Sequence, residues 1–188
     1  MLIHLRSFIK NFLSSIFALL FKIPLVSYLS TYYVRFALNR AVSIQHNSVH
    51  IKLSIPNSLC HYRARTFSTK EPETLAWIDS FDSNSVFWDI GANVGLYSIY
   101  AAKKKNCSVL SFEPSFFNLE ILARNINLND LSSQVSVVPI ALSSQSNILP
   151  FNLSTLQWGG ALSSFGSPID QHGSVFTPEF SYNTLGIS

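Results

Sequence analysis

The sequence predicts an α/β chain built on a doubly wound parallel sheet, with a helical extension at its N-terminus. Three observations carry this. Strand-like and helix-like segments alternate from residue 85 to 142, the turn "DIGANVG" (89–95) joins the first strand to the first helix, and the first forty residues are apolar at helical spacing.

Composition limits what such a chain does. With 188 residues, 47% hydrophobic and 13% aromatic, it has core material for one domain plus an extension. The net charge of +3 comes from 13 basic and 10 acidic residues, and only Lys103, Lys104 and Lys105 cluster. Three lysines ending a helix complement its dipole and form no basic stripe, so no nucleic-acid partner is expected. Cys60 and Cys107 are too few for a disulfide framework and are expected to be core thiols in a reducing, cytoplasmic setting.

Taken in order, residues 1–45 form an amphipathic helical segment, 46–82 a lead-in, and 83–188 the main domain. In "MLIHLRSFIKNFLSSIFALLF", Leu2, Leu5, Phe8, Ile9, Phe12 and Leu13 recur at steps of three and four, with His4, Ser7, Lys10 and Asn11 between them. Its charge-free run, Asn11 to Phe21, is too short to span a bilayer. Residues 1–38 are therefore expected either to lie on a membrane surface or to pack against the domain or a second subunit. Residues 49–55 alternate as a strand and break at Pro56-Asn57. Pro72, flanked by Glu71 and Glu73, opens a short helix with Leu75, Trp77 and Ile78 as core candidates. Next in the chain are a strand at 85–90, a helix at 93–105, a strand at 107–112, a helix at 115–129 and a strand at 134–142. Strands joined through helices pair in parallel with right-handed crossovers. Beyond Ser143 only "ILPFNLS" looks like a strand, and "WGGALSSFGSP" reads as a loop.

A doubly wound sheet binds ligands beyond the C-terminal ends of its strands, where Asp89 and Glu113 stand. A dinucleotide fingerprint requires glycine at the third and sixth positions counted from Gly91, and the chain has Asn93 and Leu96 there; a Walker A lysine is also missing. What remains is an acid, then Gly91, Ala92, Asn93 and Gly95, with Glu113 closing the next strand. An ionised carboxylate offers only acceptors and can grip both hydroxyls of a ribose, while Asp89 can accept from an ammonium group or from turn amides. A nucleoside bearing a zwitterionic amino acid suits these groups better than a pyrophosphate does. That ligand is S-adenosylmethionine.

"FWDIGANVGLYSIYAAK", "SFEPSFFNLEILARNINLN" and "VSVVPIALSS" together resemble the FkbM-type methyltransferases over residues 69–188. The resemblance implies a Rossmann-like class I methyltransferase fold and S-adenosylmethionine as cofactor. It assigns Asp89, Gly91, Ala92, Asn93 and Gly95 to the first cofactor motif, Glu113 to the ribose-binding acid and Asn118 to a supporting contact. It also implies a hydroxyl acceptor on a sugar, polysaccharide, lipid or secondary metabolite. Family members continue after a stretch like "TLGIS" with an acidic pair and a Lys-Ile-Asp-x-Glu-Gly-like strand, whereas this sequence stops at Ser188. The expected domain is therefore incomplete at its C-terminus, and the alternative function is a non-catalytic cofactor-binding fragment held at a membrane or a partner. No catalytic base is assigned, His172 included. His46 and His50 have the spacing of a metal pair on a helix but fall on a strand, and Cys60-His61 has no third ligand nearby, so no metal is expected. Trp158, Gly159 and Gly160 form either a plain loop or part of a substrate lid.

Overall fold

A computed structural model describes residues 11, 12 and 14–188. The positions Leu2, Leu5, Phe8, Ile9 and Leu13 of the amphipathic pattern lie outside the described residues. The chain divides into two compact units, Met1–Arg40 and Ala41–Ser188.

In the first unit α1 (Ser14–Leu20) and α2 (Pro24–Leu38) meet at an angle of 114°. Proline at the first position of α2 starts that helix and cannot continue the preceding one. No residue of α2 is buried. No single helix among the described residues is long and apolar enough to cross a membrane.

The second unit opens with an antiparallel hairpin, β1 (Ala41–His46) and β2 (Val49–Ser54), in register from Ala41 opposite Ser54 to His46 opposite Val49. The stretch 41–45, expected from sequence to belong to the helical extension, is thus strand. Asn47 turns the hairpin at φ 51°, a left-handed conformation that asparagine tolerates. Helix α3 (Ser58–Lys70) comes next, which the sequence reading did not anticipate. Its cap is Asn57, whose side chain accepts from the Cys60 amide. Helix α4 (Pro72–Asp79) begins at Pro72 as expected and buries Leu75 and Ile78. Trp77 departs from expectation: it is 57% exposed, edge-on to Phe81 and Phe87.

Next come β3 (Val86–Ile90), α5 (Leu96–Lys105), β4 (Ser108–Phe112), α6 (Phe116–Leu128) and β5 (Val135–Val138). The three strands are parallel in the order β3-β4-β5, so the predicted α/β class, with its Rossmann-like parallel unit, holds. Helix α5 starts three residues later than expected because Gly91, Asn93 and Gly95 all take positive φ. The strand expected over 134–142 is two strands. Pro139 has no amide for a ladder, and past it β6 (Ala141–Leu142) joins a second sheet with β7 (Asn147–Leu153), β8 (Ser164–Phe165) and β9 (Phe180–Ile187), in the order β6-β9-β7-β8. β9 runs antiparallel to β7 and parallel to β6.

The core of this unit lies among β2, α5, α6 and one face of the first sheet. Ile51, Ile78, Ile99, Val109 and Leu122 are almost wholly buried, each worth about 1.5–3 kcal/mol of transfer free energy. Tyr100 is buried with them and donates from its hydroxyl to Asp79 Oδ1 at 2.7 Å. On the opposite face of β3, Val86, Trp88 and Ile90 stay exposed. Both cysteines are free and buried.

Candidate active site

The turn after β3 is fixed by the end of β4. The amides of Gly91 and Ala92 both donate to the Phe112 carbonyl, at 2.9 and 3.0 Å, and Gly95 N donates to Ala92 O at 2.8 Å. The two glycines do different things. A Cβ on Gly95 would collide with Leu122 Cδ1, so this glycine lets the turn close onto α6. A Cβ on Gly91 would meet nothing within 4 Å; the space before it is open cleft.

That cleft, about 840 Å³, is lined on the turn side by Asp89, Gly91, Ala92 and Asn93 and on the helical side by Arg63, Glu71 and Tyr97. Its volume is ordinary for a small-ligand site. Asp89, the penultimate residue of β3, has its carboxylate buried, accepting from Ser98 Oγ at 2.5 Å; Ser98 in turn meets Ser111 Oγ at 2.8 Å. Burial pushes the Asp89 carboxyl up, and the Ser98 hydrogen bonds oppose that. Tyr97 donates to Glu71 Oε2 at 3.0 Å.

Glu113 follows β4 as expected, yet it does not line the cleft. It is 4% exposed, and its two oxygens accept from the amides of Asn93 (2.7 Å) and Ser115 (2.8 Å). Burial raises its pKa against those amides and the Asn118 side chain, which favour the ionised form. Asn118 lies behind it on α6 and holds the segment 159–160: its Oδ1 accepts from Gly159 N at 3.0 Å and its Nδ2 donates to Gly160 O at 3.1 Å.

The structure thus brings Asp89, Gly91, Ala92 and Asn93 to one surface, turns Gly95 away toward α6, buries Glu113 against the Asn93 and Ser115 amides, and ties Asn118 to the Gly159–Gly160 backbone. This segment is no free loop. Asn93 Nδ2 also donates to Gly160 O (2.5 Å), Arg63 Nε to Gly159 O (2.7 Å) and Asn57 Nδ2 to Trp158 O (2.9 Å). Trp158 packs on Cys60, Val94 and Ile121, and its indole N–H reaches Glu120 Oε2 at 2.9 Å. Sequence reasoning missed Arg63 and Tyr97 because it missed α3 and gave α5 no inward face at 97. The Pro56-Asn57-Ser58 cap was the available signal for α3.

The other candidates fall outside the cleft. His46 Nδ1 pairs with Ser68 Oγ at 2.9 Å and stacks edge-on to Phe67 and Tyr100, while His50 stands across the hairpin turn from Gln45. No group of three metal-ligating side chains occurs among the described residues. His172 is exposed and meets Gln171. Cys60 is buried, and that burial pushes its thiol up to about 11.

No family model matches the chain. A curated relative, "Methyltransferase sdnD" of Sordaria araneosa, is 39% identical over 74 residues, which is 39% of this chain and 29% of that protein. The match thus spans under a third of the relative's length. Among solved structures, TYW2 of M. jannaschii in complex with AdoMet aligns with 58% of this chain and 53% of its own, at 16% identity and TM-score 0.40. TYW2 of P. horikoshii in complex with MeSAdo aligns with 55% and 42%, at 16% identity and TM-score 0.40. At such scores the fold rests on the chain's own topology.

Proposed function

We propose that this chain binds S-adenosylmethionine in the cleft before Gly91 and belongs to an FkbM-type methyltransferase acting on a hydroxyl oxygen. The carrying observation is the turn itself: a strand with an acid at its penultimate position, open space where Gly91 lacks a side chain, and Glu113 one strand over, within a chain that is 39% identical over 74 residues to a named methyltransferase. The cleft suits the ligand. Arg63, Lys70, Glu71 and Asp89 all line it, giving the charges of both signs that a zwitterionic amino-acid portion requires. A bound sulfonium supplies an activated methyl group. In that chemistry the methyl would pass to the acceptor oxygen as the neutral thioether leaves with the bonding pair and the hydroxyl proton passes to a base, while Arg63, Lys70, Glu71 and Asp89 would hold the amino-acid portion. What the protein contributes is orientation, and alignment of the reacting atoms removes much of a bimolecular barrier.

Glu113 spends one acceptor site per oxygen on backbone amides, and a carboxylate has about four. The remainder can take ribose hydroxyls once the buried carboxylate becomes accessible. Calorimetric titration of the chain with S-adenosylmethionine tests the reading. Binding in the parent and a loss of about tenfold or more in Glu113→Ala is expected, as for removal of a charge-assisted pair; equal affinity in the two would count against it. The enclosure of Glu113 favours a second reading, in which it only clamps the turn. Gly91→Ala, which touches no Glu113 contact, separates them: weakened binding with an intact fold supports the ligand site.

A further inference from the structure

The first unit differs in composition from the rest of the chain. Residues 1–40 contain Arg6, Lys10, Lys22, Arg35 and Arg40 and no Asp or Glu; the chain's first acid is Glu71. We infer that the α1–α2 unit is a peripheral docking element for an anionic lipid surface. This is independent of the methyltransferase reading.

The geometry carries the inference. Leu25, Tyr28, Leu29, Tyr32 and Phe36 stand at i, i+3, i+4, i+7 and i+11, so they share one face of α2. All five are exposed, Phe36 at 70%. Tyr28 and Tyr32 lie edge-to-face, ring centroids 5.0 Å apart, with their hydroxyls 2.8 Å from each other. An apolar body with a polar tip is the side-chain type that settles at a membrane–water boundary. Ser27 and Ser30 lie on the opposite side, and Arg35, three residues after Tyr32, flanks the stripe. In α1, Ile16, Phe17 and Leu20 are exposed as well.

Length and bend then set the mode of contact. The 15 residues of α2 extend about 22 Å, short of the ~30 Å hydrocarbon core. The 114° turn into α1 prevents the two from forming one straight span. Lying flat satisfies both facts. Charge selects the partner: a unit with five basic residues and no acid would meet like charge on its own copy, whereas an anionic headgroup layer attracts it.

The test uses the full chain, made by cell-free translation in the presence of vesicles and recovered by flotation. Binding to phosphatidylcholine mixed with phosphatidylserine is expected to exceed binding to phosphatidylcholine alone by about tenfold or more, and to fall as salt rises. Alkaline carbonate is expected to release it. The pair Tyr28→Glu and Phe36→Glu should abolish flotation; Ser27→Glu with Ser30→Glu, equal in charge on the other face, should retain it. Equal binding to both vesicle types, or equal loss in both pairs, would overturn the inference. So would carbonate-resistant insertion, which means the bent pair spans, or a dimer that ignores vesicles, which means the stripe covers itself.

Discussion

Gly91 and Gly95 stand four residues apart with nearly the same backbone angles, φ 77° and 81°, and a methyl group separates their roles. At Gly95 it collides with the end of Leu122, a fully buried side chain that must shift within the core. Gly95→Ala should cost about 2–4 kcal/mol from overpacking and a left-handed non-glycine residue, read as a lower urea midpoint. At Gly91 the same change meets open space, so only the conformational cost of about 1 kcal/mol applies, while affinity for S-adenosylmethionine should drop. Asp89 gives a pH prediction. Its carboxyl is raised by burial, so the folded chain holds that proton more tightly than the unfolded chain does. The stability this contributes is full below the unfolded value of about 4 and is lost as pH rises through the folded value. Urea unfolding between pH 4 and 7 should therefore show a smaller loss in Asp89→Asn than in the parent. Some loss persists, because Glu113 is shifted the same way.

At the scale of elements, the sequence made legible those whose pattern is local. Alternation showed β2, Pro72 marked α4, and the turn residues marked the passage from β3 to α5. α3 escaped because its apolar stripe is narrow, only Cys60, Ala64 and Phe67 at i, i+4 and i+7 being buried along thirteen otherwise polar or exposed residues. β1 escaped because its outward and half-buried positions include Ser43, Gln45 and His46. β9 escaped because a strand is visible in sequence mainly through the contrast of its two faces, and in "FSYNTLGI" only Gly186 is fully buried. The site was legible as a list of residues along the turn. It was not legible as an arrangement, since Glu113 is held by the Asn93 and Ser115 amides, while the side chains of Asn57, Arg63, Asn93 and Asn118 are tied to the 158–160 backbone, remote in the chain. Asn118 makes that tie measurable. Asn118→Ala removes the acceptor for Gly159 N and a donor to Gly160 O, so hydrogen exchange at Gly159 should accelerate by about fivefold or more, the equivalent of roughly 1 kcal/mol for one lost bond.

Across the whole molecule, the uneven covering of the first sheet is the dominant feature. Its inner face meets α5, which buries five successive residues, Ser98 to Ala102, and so has almost no solvent side along that stretch. The outer face of β3 leaves Trp88 55% exposed beside Val86 and Ile90, an apolar patch of the kind that promotes association. Trp88→Ser removes the ring contact with buried Phe112, so it should cost about 1 kcal/mol of unfolding free energy and reduce light scattering on concentration. The second sheet has a different consequence, in time. β6 pairs with β9 from Ala141 opposite Gly186, so a nascent chain carries residues 141 and 142 with no partner strand until residue 187 has been added. At about 5–20 residues per second that interval lasts a few seconds on the ribosome. The hairpin, whose strands are separated by one short turn, can close in about 1–10 microseconds. The parts of this fold therefore come into being in an order set by synthesis, with the second sheet last.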